Sequence, residues 1–275
     1  MRLAFSAPTP SSSEQEVLFA SYRDSGYEGL QLKDAQYVPH LDEPANAAGA
    51  ARTDPGRFSG LIFGGGLDEG GREALRRVID FAALVGSERI IFWHGLSRAQ
   101  SSREEIARSA SVLSTLGSMA NDKGTRLSLH HHYDHPVMYP EDIEFFFEQV
   151  EPGTVWLTID TAHMWMAGQD DVGAAIKRFH AVLDNIHLKD CHDNAPGERL
   201  PEGGRRDTSF RSLGQGEVDF GPVFEALGAV GYEGWLCVDE ESGADVTVSL
   251  KGSRDFIGRH VPLPPLGPPR EETGR

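Results

Sequence analysis

The chain has 275 residues, which suits one large domain or two small ones, and 39% are hydrophobic, enough for a sizeable core. The formal charge of −16 excludes a nucleic-acid backbone as the main partner, because that binding runs on Lys and Arg. Two cysteines, Cys191 and Cys237, cannot build a disulfide framework, so a reducing cytoplasm is expected.

Residues 2–7 read as a first strand. Ser11 with Glu14 then offers a capping box, and Val17, Leu18 and Tyr22 give a helical stripe. Residues 29–33 form a second strand and 43–52 an Ala-rich helix. A third strand, 61–63, closes on Gly64-Gly65-Gly66, whose spacing is that of a plain loop and not of a nucleotide cradle. Leu75, Val78, Ile79, Ala82 and Val85 stripe a helix over 69–85. Strand 89–93 ends at His94, and a helix over 103–121 stops at Gly124. The alternation continues with strands at 126–129, 155–159, 185–188 and 235–238. Helices are predicted at 141–150, 172–183, 223–230 and 247–257, and 189–216 is a long polar loop. Eight strand–helix pairs predict a parallel sheet closed into a single (β/α)8 barrel over 1–260. Five prolines from Pro262 onward predict a disordered tail over 261–275. No run approaches the roughly 18 apolar residues of a membrane span, and no long apolar region near Met1 reads as a signal peptide.

Metal-binding side chains follow the later strands directly: His130-His131-His132, Asp160 with His163, His187 with Lys189, and Asp239-Glu240. A divalent cation needs ligands from several strand ends, and a parallel barrel gathers those ends at one mouth. Each residue also has a plainer reading. Asp160 could only cap the next helix, His187 could be a satisfied core histidine, and Asp239-Glu240-Glu241 could be a solvated turn. Alternation sends His130 and His132 one way and His131 the other, so one of the first two is expected in the site. Asp239 and Glu240 point opposite ways, and both stay open. Lys33 and His94 at strand ends are candidate substrate contacts. Arg199, Arg205, Arg206 and Arg211 make the long loop a candidate lid, a subunit contact of a homo-oligomer, or a seat for a charged substrate group.

At Thr158-Ile159-Asp160-Thr161-Ala162-His163, Ile186-His187-Leu188-Lys189-Asp190, Leu213-Gly214-Gln215-Gly216-Glu217 and Gly231-Tyr232-Glu233-Gly234-Trp235 the chain resembles the xylose isomerase-like (AP endonuclease family 2) barrels. These include sugar isomerases and epimerases and inosose dehydratases. The resemblance implies one divalent ion (Mn2+, Mg2+, Co2+ or Zn2+) held by a Glu, an Asp, a His and a Glu after successive late strands. Asp160 and His187 match, His130 takes the place of the first Glu, and Asp239 or Glu240 that of the second. His163 matches the family's substrate-contacting His. The resemblance implies a metal-dependent isomerase or epimerase of a sugar or keto-polyol, acting through an enediolate. Lys33, His94, His163 and Lys189 would contact substrate. Acid–base work would fall to whichever of Asp239, Glu240, His132 and His163 is unbound. An inosose dehydratase-like lyase and a catalytically silent ligand-binding barrel are the alternatives.

Overall fold

The computed structural model describes residues 1–266. Its strands are β1 (Arg2–Ser6), β2 (Gly29–Leu32), β3 (Gly60–Gly65), β4 (Arg89–His94), β5 (Arg126–His130), β6 (Val155–Asp160), β7 (Leu183–Leu188), β8 (Asp190–Asp193), β9 (Thr208–Arg211) and β10 (Trp235–Asp239). Eight of them pair in parallel in the order β1, β2, β3, β4, β5, β6, β7, β10, and β10 returns to β1. All eight predicted barrel strands are present, and helices cover the outside.

The helix boundaries follow local chemistry. Ser11 and Glu14 make the capping box that starts the helix Ser12–Ser21. Asp68 caps the helix Glu69–Val85 through the Gly71 amide, and Gly86 ends it at φ 70°, a left-handed conformation that only glycine adopts without strain. Within 189–216, the polar loop contains an antiparallel hairpin, β8 with β9, which the sequence did not predict. Its organiser is Asp190, whose carboxylate accepts from the amides of Cys191, Gly214, Gly216 and Val218 at 2.8–3.2 Å. Residues 261–266 form neither helix nor strand, as their prolines require, and Val261 and Leu263 pack on the barrel. The rest of the expected disordered tail, 267–275, lies outside the described residues.

One periodicity positions the site. On β10, Leu236 and Val238 belong to the large core shared with the helices, whereas Trp235 and Cys237 form a separate cluster with Ala4. The same split puts Leu127 and Leu129 of β5, Leu157 and Ile159 of β6, and Ile186 and Leu188 of β7 in the helix-facing core. Their alternate neighbours face the barrel axis. Gln31 on β2 donates across the interior to Asn185 on β7 at 2.8 Å, although two strands separate them in the sheet. On these strands the outer face is mainly apolar, and most of the polar groups lie on the inner face.

Candidate metal centre and active site

The inward-facing residues at the carboxyl ends of the strands surround a cavity of about 180 Å3. Lys33, Trp93, His130, His132, His163, His187, Lys189, Asp239 and Glu241 line it. Gly64 also lines it, and a Cβ at that position would meet the Trp93 indole at 2.1 Å.

Asp160 does two things at once. Its Oδ1 caps the following helix through the His163 amide at 3.0 Å. Its Oδ2 is buried without a hydrogen-bond partner. That oxygen lies 3.5 Å from His130 Nε2 and 3.8 Å from His187 Nδ1, which in turn lies 3.9 Å from Asp239 Oδ2. Ligands bound tetrahedrally at about 2.1 Å stand roughly 3.4 Å apart, so these separations suit a cation with little adjustment. The potential ligands fall into two triads that share Asp160: His130, Asp160 and His163, and Asp160, His187 and Asp239.

His187 is oriented from behind. Gln31 donates its amide N–H to Asn185, so its carbonyl accepts from His187 Nε2 at 2.8 Å. Nδ1 is left unprotonated, buried and unpartnered, facing both carboxylates. Burial is the main cause that holds His187 down at about 3, against the pull of Asp239. The ring is thus a neutral potential ligand. Burial also opposes the Asp160 carboxylate, but His130 and Lys189 outweigh it and hold the group ionised.

His131 faces away from the cavity, and its Nε2 accepts from the Asp160 amide at 3.0 Å. His132 donates from Nδ1 to the Tyr133 carbonyl at 2.8 Å, which leaves Nε2 with its lone pair. It stacks on His163, ring centroids 3.7 Å apart. Both are pushed well below the usual imidazole value, first by burial and then by neighbouring histidines. Phe210 of β9 lies over the Lys189 ammonium at 4.1 Å and edge-on to His163, so the hairpin covers this side of the mouth.

Asp239 is gripped by both lysines, Lys33 at 2.6 Å on Oδ1 and Lys189 at 3.0 Å on Oδ2. Burial would raise its pKa, but Lys189, Lys33 and His187 hold it well below the carboxylate range. Burial likewise opposes the Lys189 ammonium, and Asp239, Asp160 and Glu241 reverse the effect, keeping it charged.

Three expectations are corrected. Glu240 follows the outward phase of Leu236 and Val238, and its Oε1 accepts from the Ser242 amide at 2.7 Å, so it does not reach the cavity. His94 shares the outward phase of Ile90 and Phe92, and its Nδ1 accepts from the Leu96 amide at 3.1 Å; its inward neighbour Trp93 lines the cavity instead. The basic cluster of the long loop pins that loop and does not reach the cavity. Arg199 bonds Asp193, Arg205 bonds Asp170 and the Trp165 carbonyl, and Arg206 pairs with Glu198. Glu241, Trp93 and Gln31 were missed as site residues. Gln31, a lone amide between Leu30 and Leu32, was the legible signal. Cys191 and Cys237 are buried with their thiols pushed up by burial, so neither is a thiolate nucleophile.

The model of the xylose isomerase-like TIM barrel family matches residues 19–257. An inosose dehydratase of Klebsiella pneumoniae (strain 342) is 33% identical over 147 residues, 51% of this chain and 49% of that protein. One of Geobacillus thermodenitrificans (strain NG80-2) is 34% identical over 134 residues, 47% of this chain and 45% of the relative. The chain thus spans about half the length of the curated relatives it matches. Among solved structures, an L-ribulose 3-epimerase superposes with TM-score 0.72 at 21% identity, covering 94% of each chain. The IOLI protein with a bound zinc atom superposes with TM-score 0.73 at 17% identity, covering 96% of this chain and 100% of the other. Likenesses at these identities establish the fold. No helix among the described residues is long and apolar enough to cross a membrane.

Proposed function

The chain belongs to the xylose isomerase-like TIM barrel family, and we propose that within it the protein removes the proton beside the carbonyl of a sugar or keto-polyol, with a divalent metal ion as cofactor. The observation that carries this reading is the pair of buried, unpartnered atoms Asp160 Oδ2 and His187 Nδ1, 3.8 Å apart beside Asp239. His130, Asp160, His187 and Asp239 would hold the ion, and Mn2+, Mg2+, Co2+ and Zn2+ all suit such nitrogen and oxygen donors. A bound divalent ion supplies Lewis acidity, which acidifies the C–H next to a carbonyl.

The chain's own groups divide the remaining work. His132 Nε2 is the candidate base, because Nδ1 keeps its proton on the Tyr133 carbonyl. Asp239, held by two ammonium groups, is a poor proton acceptor. Lys189 stays charged and offers hydrogen bonds to an oxygen that gains negative charge. His163, unpartnered at both ring nitrogens, contacts substrate oxygens. Returning the proton to a neighbouring carbon or the opposite face makes an isomerase or epimerase.

A second reading, dehydration, is favoured by the inosose dehydratases among the relatives. The same proton is removed, and the hydroxyl one carbon further leaves as water by taking back the proton that His132 has accepted. Incubating keto-inositols and ketohexoses with the metal-loaded protein in D2O separates the two. Deuterium uptake with the formula retained is the isomerase outcome, and loss of one water is the lyase outcome. Neither change in any substrate, with metal bound, would leave the ligand-binding barrel. Metal analysis of Asp160→Ala and His187→Ala tests the centre itself, and full occupancy in both overturns it.

A further inference from the structure

Beside the candidate metal ligands sits a closed ring of four charges. Lys33 and Lys189 each bond both Asp239 and Glu241. The two carboxylates are not equivalent. Asp239 ends β10, is paired in register with Ser6, and its side chain is 3% exposed. Glu241 lies beyond the strand end, its side chain is 29% exposed, and among the described residues its carboxylate bonds the two ammonium groups alone, Oε1 to Lys33 and Oε2 to Lys189. Lys189 itself is buried, with Phe210 over its ammonium. A pair of lysines bridged by one carboxylate is a seat shaped for one carboxylate, and it opens into the cavity lined by His130 and His187.

We propose that Lys33 and Lys189 form an anion subsite for a carboxylate on the substrate, and that Glu241 is a tethered stand-in that swings out when the substrate enters. The substrate class is then a hydroxy-ketone that also carries a carboxylate, such as a sugar acid. This inference rests on the sugar or keto-polyol reading above. The exchange is like for like: two charge-assisted hydrogen bonds are lost and two are made, while Glu241 gains water at the mouth. A cation that takes Asp239 as a ligand withdraws that carboxylate from the ammonium groups and leaves Glu241 as their remaining strong partner. Asp34, the other carboxylate at the rim, is exposed and turned onto the Ala35 amide at 2.7 Å.

The test uses D-gluconate and D-sorbitol, which share a polyol chain and differ by a carboxylate in place of a CH2OH. Isothermal titration of the full chain with Mn2+ supplied should find gluconate bound at least about tenfold more tightly, the effect of one or two charge-assisted bonds. Glu241→Gln removes the competitor and should tighten gluconate further, by a larger factor than any change in sorbitol. Lys33→Met should erase the preference, and Glu241→Gln keeps the proposal testable if Lys33→Met does not fold. Equal binding of the two ligands by the parent chain and by Glu241→Gln overturns the subsite and leaves the polyol reading standing. Binding of neither ligand to the metal-loaded chain overturns both.

Discussion

Both ends of the barrel pair buried charges, but only the mouth also aims unpartnered ligand atoms at one another. At the amino-terminal end Asp184 lies between two guanidinium groups, 2.8 Å from Arg126 and 3.5 Å from Arg89. Glu88 accepts from Arg2 at 2.7 Å and from the Trp235 indole at 2.8 Å. The buried Asp184 and the part-exposed Glu88 both have cationic partners there, although Asp184 Oδ2 has an ion-pair contact and no hydrogen bond. At the mouth, Asp160 Oδ2, His187 Nδ1 and both nitrogens of His163 face one another with no hydrogen-bond partner. Orphaned buried polar atoms are costly, and those at the mouth converge, with Asp160 Oδ2 and His187 Nδ1 3.8 Å apart, an arrangement that suits the proposed cation. In barrels of this kind the lower end serves stability and the upper end chemistry.

Removing one partner at each end should separate these roles. The largest effect is expected for Arg89→Ala, which leaves Asp184 under-compensated. Urea unfolding should show a loss of about 3–5 kcal/mol, with metal affinity of the folded protein unchanged. Asp160→Asn keeps an acceptor for the His163 amide but removes the ligand charge. It should weaken metal binding by more than about 100-fold, read by competition with a chelating dye, with a small change in Tm.

The pH dependence follows from His131, which burial and then His130 hold at about 3. Its unfolded value is about 6.5, so between these values the unfolded chain binds the extra proton and stability falls as the pH falls. The metal-free protein should lose about 2 kcal/mol from His131 alone between pH 6.5 and 5. His131→Gln, which keeps an acceptor for the Asp160 amide, should flatten that part of the urea-midpoint profile. If the slope is unchanged in the variant, His131 is not its source. The smallest effect is expected at His94, on the outer face beside the mouth. His94→Ala should leave metal affinity and ligand binding within about twofold, whereas substitution of its inward neighbour Trp93 should not.

The resemblance raised by the late strand ends pointed to the right fold and to Asp160, His187 and Lys189 as residues of the mouth. What stayed open between Asp239 and Glu240 was a matter of phase. Period-2 alternation says that they diverge, but not which of them looks inward. The key was present in Leu236 and Val238: a barrel buried under helices keeps its apolar residues outside, so the carboxylate out of step with them faces the axis. The same rule separates Trp93 from His94, and it was not applied to either pair. The hairpin of the long loop was missed because its strands are short and polar, and because Asp190 organises them through backbone amides that leave no side-chain pattern.

The amino-acid sequence by itself determined the eightfold alternation, the caps that start and stop the helices, and the ligand chemistry at the strand ends, because these depend on periodicity and on neighbours a few residues apart. Tertiary structure alone decided which charges meet. Lys33 and Asp239 are 206 residues apart and touch because β10 closes onto β1, next to β2. That closure also sets Glu241 across the two lysines and leaves Asp160 shared between two groups of side chains that could hold a metal ion. Such long-range contacts have no local signature, since the geometry that creates them exists only once the cylinder has shut.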